Sequence, residues 1–140
     1  MFANMVKKTE IASNDLMNEK LFDRVGGADV VFRLVGAMYD GVLADPELKP
    51  FFEQVQMERL RKMQYEFIAA ALEGPVNYSG AELQAVHAGR GITAHHFAKF
   101  VGHLVAAMEA EGIATEIIDN MLGRLAMQRD RIVGSANVDG

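Results

Sequence analysis

Three polar side chains occupy the apolar faces of segments that otherwise have helical spacing. Tyr39, Gln64 and His87 each fall in register with hydrophobic residues three or four positions away. A buried polar group without a partner costs roughly 1–3 kcal/mol, so a single such residue is usually satisfied within the core. Three of them, on the inner faces of different helices, predict a polar spot inside an apolar cavity, which is the usual form of a ligand site.

The four histidines restrict what that ligand is. His96 and His103 are seven residues apart, about 10.5 Å along a helix, so one ion with bonds of ~2 Å does not reach both. No histidine is followed four residues later by His, Asp or Glu. Ligation by a single histidine remains, and it suits haem, whose porphyrin supplies the other nitrogens. We interpret His95, His96 and His103 as surface or helix-end residues, with His96 the nearest to a cofactor edge.

Other motifs have simpler interpretations. Residues 89–94 fit the loose dinucleotide fingerprint GxGxxA, but a helical segment precedes them instead of a strand, so we read them as a helix stop. The pair Phe51 and Phe52 fits either core packing or a ring placed against a flat cofactor. The basic run at residues 59–62 is typical of a solvated helix face.

Composition narrows the class of protein. The chain has 140 residues and a formal net charge of −5, which favours one domain and argues against nucleic-acid binding. It has no cysteine, which excludes disulfides, thiol catalysis and thiolate-ligated haem. No signal peptide is expected, because no apolar run follows the first lysines, and no apolar run approaches the ~20 residues that span a membrane. We therefore expect a cytoplasmic protein that does not bind membranes.

Helical periodicity runs through the chain, and no segment alternates with a period of two. The expected fold class is all-α. Residues 1–20 are predicted to be a mobile or short-helical extension, residues 21–133 the folded domain, and residues 134–140 a flexible tail. A helix stop is expected at Gly26–Gly27, and Asp45–Pro46 is a start signal that only a short turn to Phe51–Phe52 follows. The later boundaries are a helix from about Met57 to Leu72, a capping box at Ser79–Glu82 before Leu83 and His87, a helix from Thr93 to about Glu111, and a last helix ending near Val133.

From about Leu21 to Val133 the chain resembles group I truncated haemoglobins. The resemblance is specific because several pieces occur in the same order and spacing: Leu21–Gly27, Tyr39 with Leu43–Pro46, Pro50–Phe52, Met57–Gln64, Gly74–Pro75 with Tyr78, and Ala85–His87 through Gly91–Thr93 to His96–Phe97.

This resemblance implies a two-over-two helical sandwich that binds haem b. The proximal iron ligand of the family falls on His87, the distal tyrosine on Tyr39 and the distal glutamine on Gln64. Phe52 falls on the phenylalanine that packs against the haem face. Leu60 falls where classical globins have a distal histidine.

The chain departs from the family pattern at three places. Glu73–Gly74 stands where many members have two glycines before the proline. Ile68 stands where some members have a phenylalanine proposed to gate a gas tunnel, and Met63 where some have a second histidine ligand. These departures predict an ungated gas passage and a five-coordinate iron.

The apolar helix faces and the family resemblance together predict a site and a function. Besides the proximal and distal residues, the predicted haem-lining residues are Phe52, Leu60, Met63, Ile68, Leu83, Arg90, Ile92, His96 and Phe97. The implied function is reversible binding of O₂, NO and CO, with nitric oxide dioxygenase activity if an external reductase restores iron(II), since no flavin or nicotinamide domain is expected in the chain. The alternatives are a haem gas sensor without turnover and an all-α interaction module. We expect a monomer or weak dimer.

Overall fold

The helices of the computed structural model lie within residues 19–76 and 90–133, which are the residues that the structure describes. The described elements are α1 (Leu21–Val25), α2 (Ala28–Ala44), a 3₁₀ helix (Lys49–Phe52), α3 (Met57–Ala71), α4 (Ala94–Ala110), α5 (Thr115–Ala126) and α6 (Arg129–Val133). The expected all-α class is therefore confirmed. The predicted helix with Leu83 and His87 lies outside the described residues, as do positions 1–18 and the tail at 134–140.

α2 is the centre of the packing. It contacts α3 on one side and α4 on another, while α4 contacts α5 and α3 also reaches α5, so the helices form two crossed layers. The inner face of α2 is fully buried at Leu34, Met38, Tyr39 and Val42. Each large apolar side chain removed from water contributes roughly 1.5–3 kcal/mol, so this face holds the two layers together. None of the described helices combines the length and the hydrophobicity of a membrane-spanning segment.

The end of α3 shows how the chain accommodates its departure from the double glycine. Glu73 adopts the left-handed region, with φ 64°, which costs a residue other than glycine roughly 1–3 kcal/mol. Its carboxylate accepts a hydrogen bond of 2.9 Å from Arg124 on α5. Gly74 must stay glycine, because a Cβ there would lie 2.6 Å from the ring of Phe22. The amide of Phe22 donates to the carbonyl of Leu72, and this ties α1 to the end of α3.

Asp45 stands at the end of α2, where the sequence predicts a short turn to Phe51–Phe52. A turn and the 3₁₀ helix follow it, in agreement with that prediction. Its Oδ1 does accept a hydrogen bond from the backbone N–H of Glu47, at 3.0 Å. The local capping chemistry is therefore present. The sequence did not reveal that the carboxylate also has partners on a distant helix, which hold it at the end of α2.

Those partners are a lysine and a histidine on α4. Lys99 Nζ donates to Asp45 Oδ1 at 2.8 Å, and His103 Nε2 lies 2.9 Å from Oδ2. The His103 ring reaches this position because Gly41 has no side chain, and a Cβ there would lie 2.6 Å from Nδ1. The hydrogen bonds from Lys99 and then His103 hold the pKa of the Asp45 carboxyl well below its usual range.

Replacing Asp45 with asparagine should lower stability at neutral pH, and the deficit should shrink in acid. Because the pKa of Asp45 is lowered in the folded protein, its carboxylate stabilises the fold above the ordinary aspartate pKa of about 4. That contribution is lost as pH falls through the lower folded-state pKa. Urea unfolding of both proteins over a pH series measures the difference. The control is Asp40→Asn, which changes an exposed carboxylate of the same helix; a deficit at Asp45 that does not vary with pH would contradict the assignment.

Candidate functional site

A cavity of about 860 Å³ lies between α2, α3, α4 and the 3₁₀ helix, within the range of ~300–1,000 Å³ typical of ligand sites. Every described residue of the predicted site contributes to its wall: Tyr39, Phe52, Leu60, Met63, Gln64, Ile68, Arg90, Ile92, His96 and Phe97. The predicted proximal residue His87 and its neighbour Leu83 lie outside the described residues. The structure thus brings together all the predicted lining residues that it describes.

Tyr39 projects into this cavity from the buried face of α2. Its ring is fully buried and makes edge-on contacts with Phe52 and Phe100, with centroids 5.6 and 6.0 Å apart. Its hydroxyl has no hydrogen-bond partner among the described residues. Burial raises the pKa of the Tyr39 hydroxyl well above its ordinary value, and Arg61 and Gln64 offset this only in part. The hydroxyl therefore keeps its proton and is a donor without an acceptor.

Gln64 presents a second unsatisfied polar group to the same cavity from α3. Its Oε1 is buried and accepts no hydrogen bond among the described residues. Each of these two groups costs about 1–3 kcal/mol if it stays unpaired. Leu60, one turn earlier on the same helix, lines the cavity without a polar atom. Two orphaned polar groups in one apolar cavity indicate a small ligand that interacts with both.

The rest of the wall suits a flat, largely apolar group with charged edges. Phe67, Ile68 and Leu104 are buried hydrophobic residues of the lining. Arg59 and Arg90 lie on the same wall and are exposed to solvent, so they are placed to meet carboxylates at a cofactor edge. An apolar interior, a distal pair of polar groups and two cations at the rim fit haem.

His96 has a structural role as well as a place on the wall. Its Nδ1 accepts a hydrogen bond from the backbone N–H of Thr93, and its own N–H donates to Thr93 Oγ1, so the two residues form a capping box at the start of α4. With Nδ1 as acceptor, the neutral ring carries its proton on Nε2. The helix start at Thr93 agrees with the sequence prediction, and the histidine is both a helix-end residue and a cavity residue.

Sequence reasoning missed several residues of the cavity. Phe100 and Leu104 continue the stripe of Phe97 along α4, so helical spacing carries a signal for them. Leu125 and Ile132 reach the cavity from α5 and α6, and only the crossing of the helices brings them there. Among residues 19–76 and 90–133, no cluster of three or more His, Asp or Glu side chains could hold a metal ion.

A shallow apolar groove adjoins the cavity between α4 and α5. Phe97, Val101 and Leu125 line both, so these side chains form the partition between them.

Comparison with known proteins agrees with this geometry. The bacterial-like globin family model matches residues 20–133. The group 1 truncated hemoglobin GlbN of Mycolicibacterium paratuberculosis is 45% identical over 106 residues, which cover 76% of this chain and 78% of that protein. The truncated hemoglobin of Tetrahymena pyriformis in its Fe(III) form superposes with a TM-score of 0.77 at 25% identity, covering 81% of this chain and 97% of that chain. The 2/2 hemoglobin of a Synechococcus species, solved with covalently attached heme, gives a TM-score of 0.75 at 25% identity and covers 81% and 98%.

Proposed function

The chain belongs to the bacterial-like globin family and is a group 1 truncated haemoglobin, and on that premise we propose that its cavity holds haem b and binds O₂ and other diatomic gases reversibly. The observation that carries the proposal is the pair of orphaned groups in the cavity, Tyr39 Oη and Gln64 Oε1. Haem iron(II), when present, supplies an open coordination position for a gas. Family membership favours this function over an all-α interaction module.

The distal residues act on the ligand through hydrogen bonding. Tyr39 keeps its proton because burial raises its pKa, so its hydroxyl donates to a ligand that carries partial negative charge. Gln64 lies close enough to Tyr39 to influence that pKa, and its amide orients the tyrosine or donates to the ligand itself. The apolar side chains around them make the surroundings less polar than bulk water, which strengthens these interactions.

On the proximal side we propose His87 as the iron ligand. The proposal rests on the family resemblance of residues 85–97. Of the other histidines, His95 is paired with Glu47, His103 with Asp45, and His96 caps α4. Each of these already has a hydrogen-bond partner that orients it.

A second candidate function is nitric oxide dioxygenation, in which O₂, NO and one electron give nitrate. The observation that favours it is the apolar groove, which shares Phe97, Val101 and Leu125 with the cavity. This groove offers NO an apolar route to O₂ bound in the cavity. A haem gas sensor would use the same distal contacts without turnover.

A spectrum tests the proposal and separates the two candidates. The purified protein, reconstituted with haem and reduced, should show a visible haem band that shifts on addition of O₂. Mixing this form with NO should give one nitrate per haem if the protein is a dioxygenase. A chain that retains no haem contradicts the proposal, and a haem protein that forms no nitrate contradicts the dioxygenase activity alone.

Ile68→Phe should slow gas entry, because Ile68 is buried on α3 and lines the cavity. A ring that must move aside adds a barrier, and about 1 kcal/mol slows passage roughly 5-fold. Flash photolysis of the CO form gives the association rate. Ile68→Val, which keeps the passage open, is the matched control, and equal association rates for the two variants would show that this wall does not lie on the entry route.

A further inference from the structure

An exposed basic surface on α3 stands out in an acidic chain. Arg59, Arg61 and Lys62 are all exposed, and none of them forms a salt bridge with another described residue. By contrast, Arg24, Arg33, Lys99 and Arg124 are each paired with a carboxylate. Glu58 and Glu66 flank the three cations along the helix without pairing with them. The charges of Arg61 and Lys62 are therefore available to a partner, while Arg59 lies at the rim of the cavity.

Large apolar side chains lie beside these cations. Phe32 of α2 is 59% exposed and stacks on Tyr65 of α3 with ring centroids 4.2 Å apart. One turn later on α2 and one turn earlier on α3, the Arg61 guanidinium lies over Gly36. Met63 is 36% exposed. The basic patch, as we call it, consists of Phe32, Arg59, Arg61, Lys62, Met63 and Tyr65.

The basic patch borders the haem cavity. Arg59 and Met63 belong both to the patch and to the cavity wall, so a protein docked there would lie next to the cofactor edge. The chain as a whole carries a formal charge of −5, which repels acidic proteins from most of its surface. A local cluster of unpaired cations on such a chain orients an acidic partner during encounter.

We propose that the basic patch docks an acidic electron-transfer protein, which reduces the iron after each turnover. This inference rests on the proposed function, because forming nitrate from O₂ and NO takes one electron from the iron and leaves it as Fe(III). In the docked complex one electron passes from a reduced flavin of the partner to Fe(III), which becomes Fe(II). The flavin is oxidised by one electron, and no covalent bond forms or breaks.

The composition of the basic patch suits this kind of contact. Electron-transfer encounters are small and transient, burying less than about 1,200 Å² in total. Aromatic residues, methionine and arginine are enriched in interfaces, and here Phe32, Met63 and the arginines provide them. A surface that has only a few apolar side chains, with cations around them, favours fast, salt-dependent association over a permanent complex.

The test measures reduction of the ferric holoprotein by a fully reduced, strongly acidic flavodoxin in a stopped-flow instrument. Reversing two charges of the basic patch, with Arg61→Glu and Lys62→Glu, should lower the second-order rate at least ~10-fold at low ionic strength. The difference should vanish near ~1 M salt, where charges are screened within about 3 Å. The matched control is Lys20→Glu with Arg131→Glu, which makes the same change in net charge at exposed cations outside the patch.

A second readout does not depend on electron transfer. Titrating the ferric protein with oxidised flavodoxin should shift the amide resonances of residues 57–66 in NMR spectra, and the double variant of the patch should lose these shifts. Equal loss of reduction rate in patch and control variants would overturn the proposal, because net charge would then explain it. An unchanged rate in the patch variant would overturn it as well.

Failure of this inference can be told apart from failure of the proposed function. Chemical reduction by dithionite needs no docking, so Lys62→Glu reduced in this way should release O₂ at the parent rate. If the chemically reduced parent binds O₂ and forms nitrate while the patch variant is reduced normally by flavodoxin, only the docking site is wrong. If the chemically reduced parent binds no O₂, the proposed function fails, and the docking proposal fails with it.

Discussion

Replacing Tyr39 with phenylalanine should speed the release of O₂ by about 10- to 100-fold. The O₂ ligand gains partial negative charge, and a hydrogen bond to a charged acceptor is worth roughly 1.5–3 kcal/mol. At about 1.4 kcal/mol per factor of ten, losing that bond gives the stated range. Tyr39 is the expected donor because its hydroxyl is buried, protonated and without a partner among the described residues. Stopped-flow measurement of O₂ dissociation gives the rate.

Two comparisons make this prediction specific. Gln64→Leu should raise the release rate less, because the tyrosine remains to donate. CO carries less negative charge than O₂, so CO release should change little in Tyr39→Phe. The association rates should also move less than the release rate, since the donor acts after binding. An O₂ release rate within a factor of two of the parent would mean that Tyr39 does not face the ligand.

His87→Gly should abolish the histidine–iron stretching band in the resonance Raman spectrum of the reduced protein and weaken haem retention. The expectation follows from the proposal that this side chain alone binds the iron from the protein. Added imidazole should enter the space left by the side chain and restore a stretching band, which separates loss of the ligand from loss of the fold.

Variants of the remaining histidines provide the controls. His96→Ala removes the capping imidazole of α4, and His103→Ala removes a partner of Asp45, so either variant changes stability. Neither should remove the histidine–iron band. If the histidine–iron stretching band of His87→Gly is unchanged without imidazole, another residue binds the iron.

The helices were largely predictable from local signals. Thr93 begins α4 through its side chain, and Gly112 with φ 75° follows its end, so capping chemistry and glycine freedom mark both boundaries in the sequence. At Asp45 the same kind of local signal leads only into a turn and a 3₁₀ helix, as the sequence predicts. A capping carboxylate and a proline permit a helix start, but they do not set how far the helix continues.

The residues of the candidate site were predictable where they lie on the apolar face of a helix, at a spacing of three or four residues. Tyr39 and Gln64 were found because polar residues on apolar faces are costly, and the structure places both on one cavity wall. The contributions of Leu125 and Ile132 were not found, because their position depends on the angles at which α5 and α6 cross α4. The acceptor of the His103 hydrogen bond lies 58 residues away in the chain, and no local pattern reports such a pair.

The sequence by itself determined the all-α class, most helix boundaries and the residue types available to a ligand, because these depend on spacing, capping and side-chain chemistry within a few residues. Tertiary structure alone decided that Tyr39 Oη and Gln64 Oε1 lack partners, that Lys99 and His103 share one carboxylate, and that Phe32 stacks on Tyr65 at the surface. The hydrogen-bond partners of a side chain and its exposure to solvent depend on the space between the helices. That space is fixed only when the layers pack and each side chain meets residues distant in the chain.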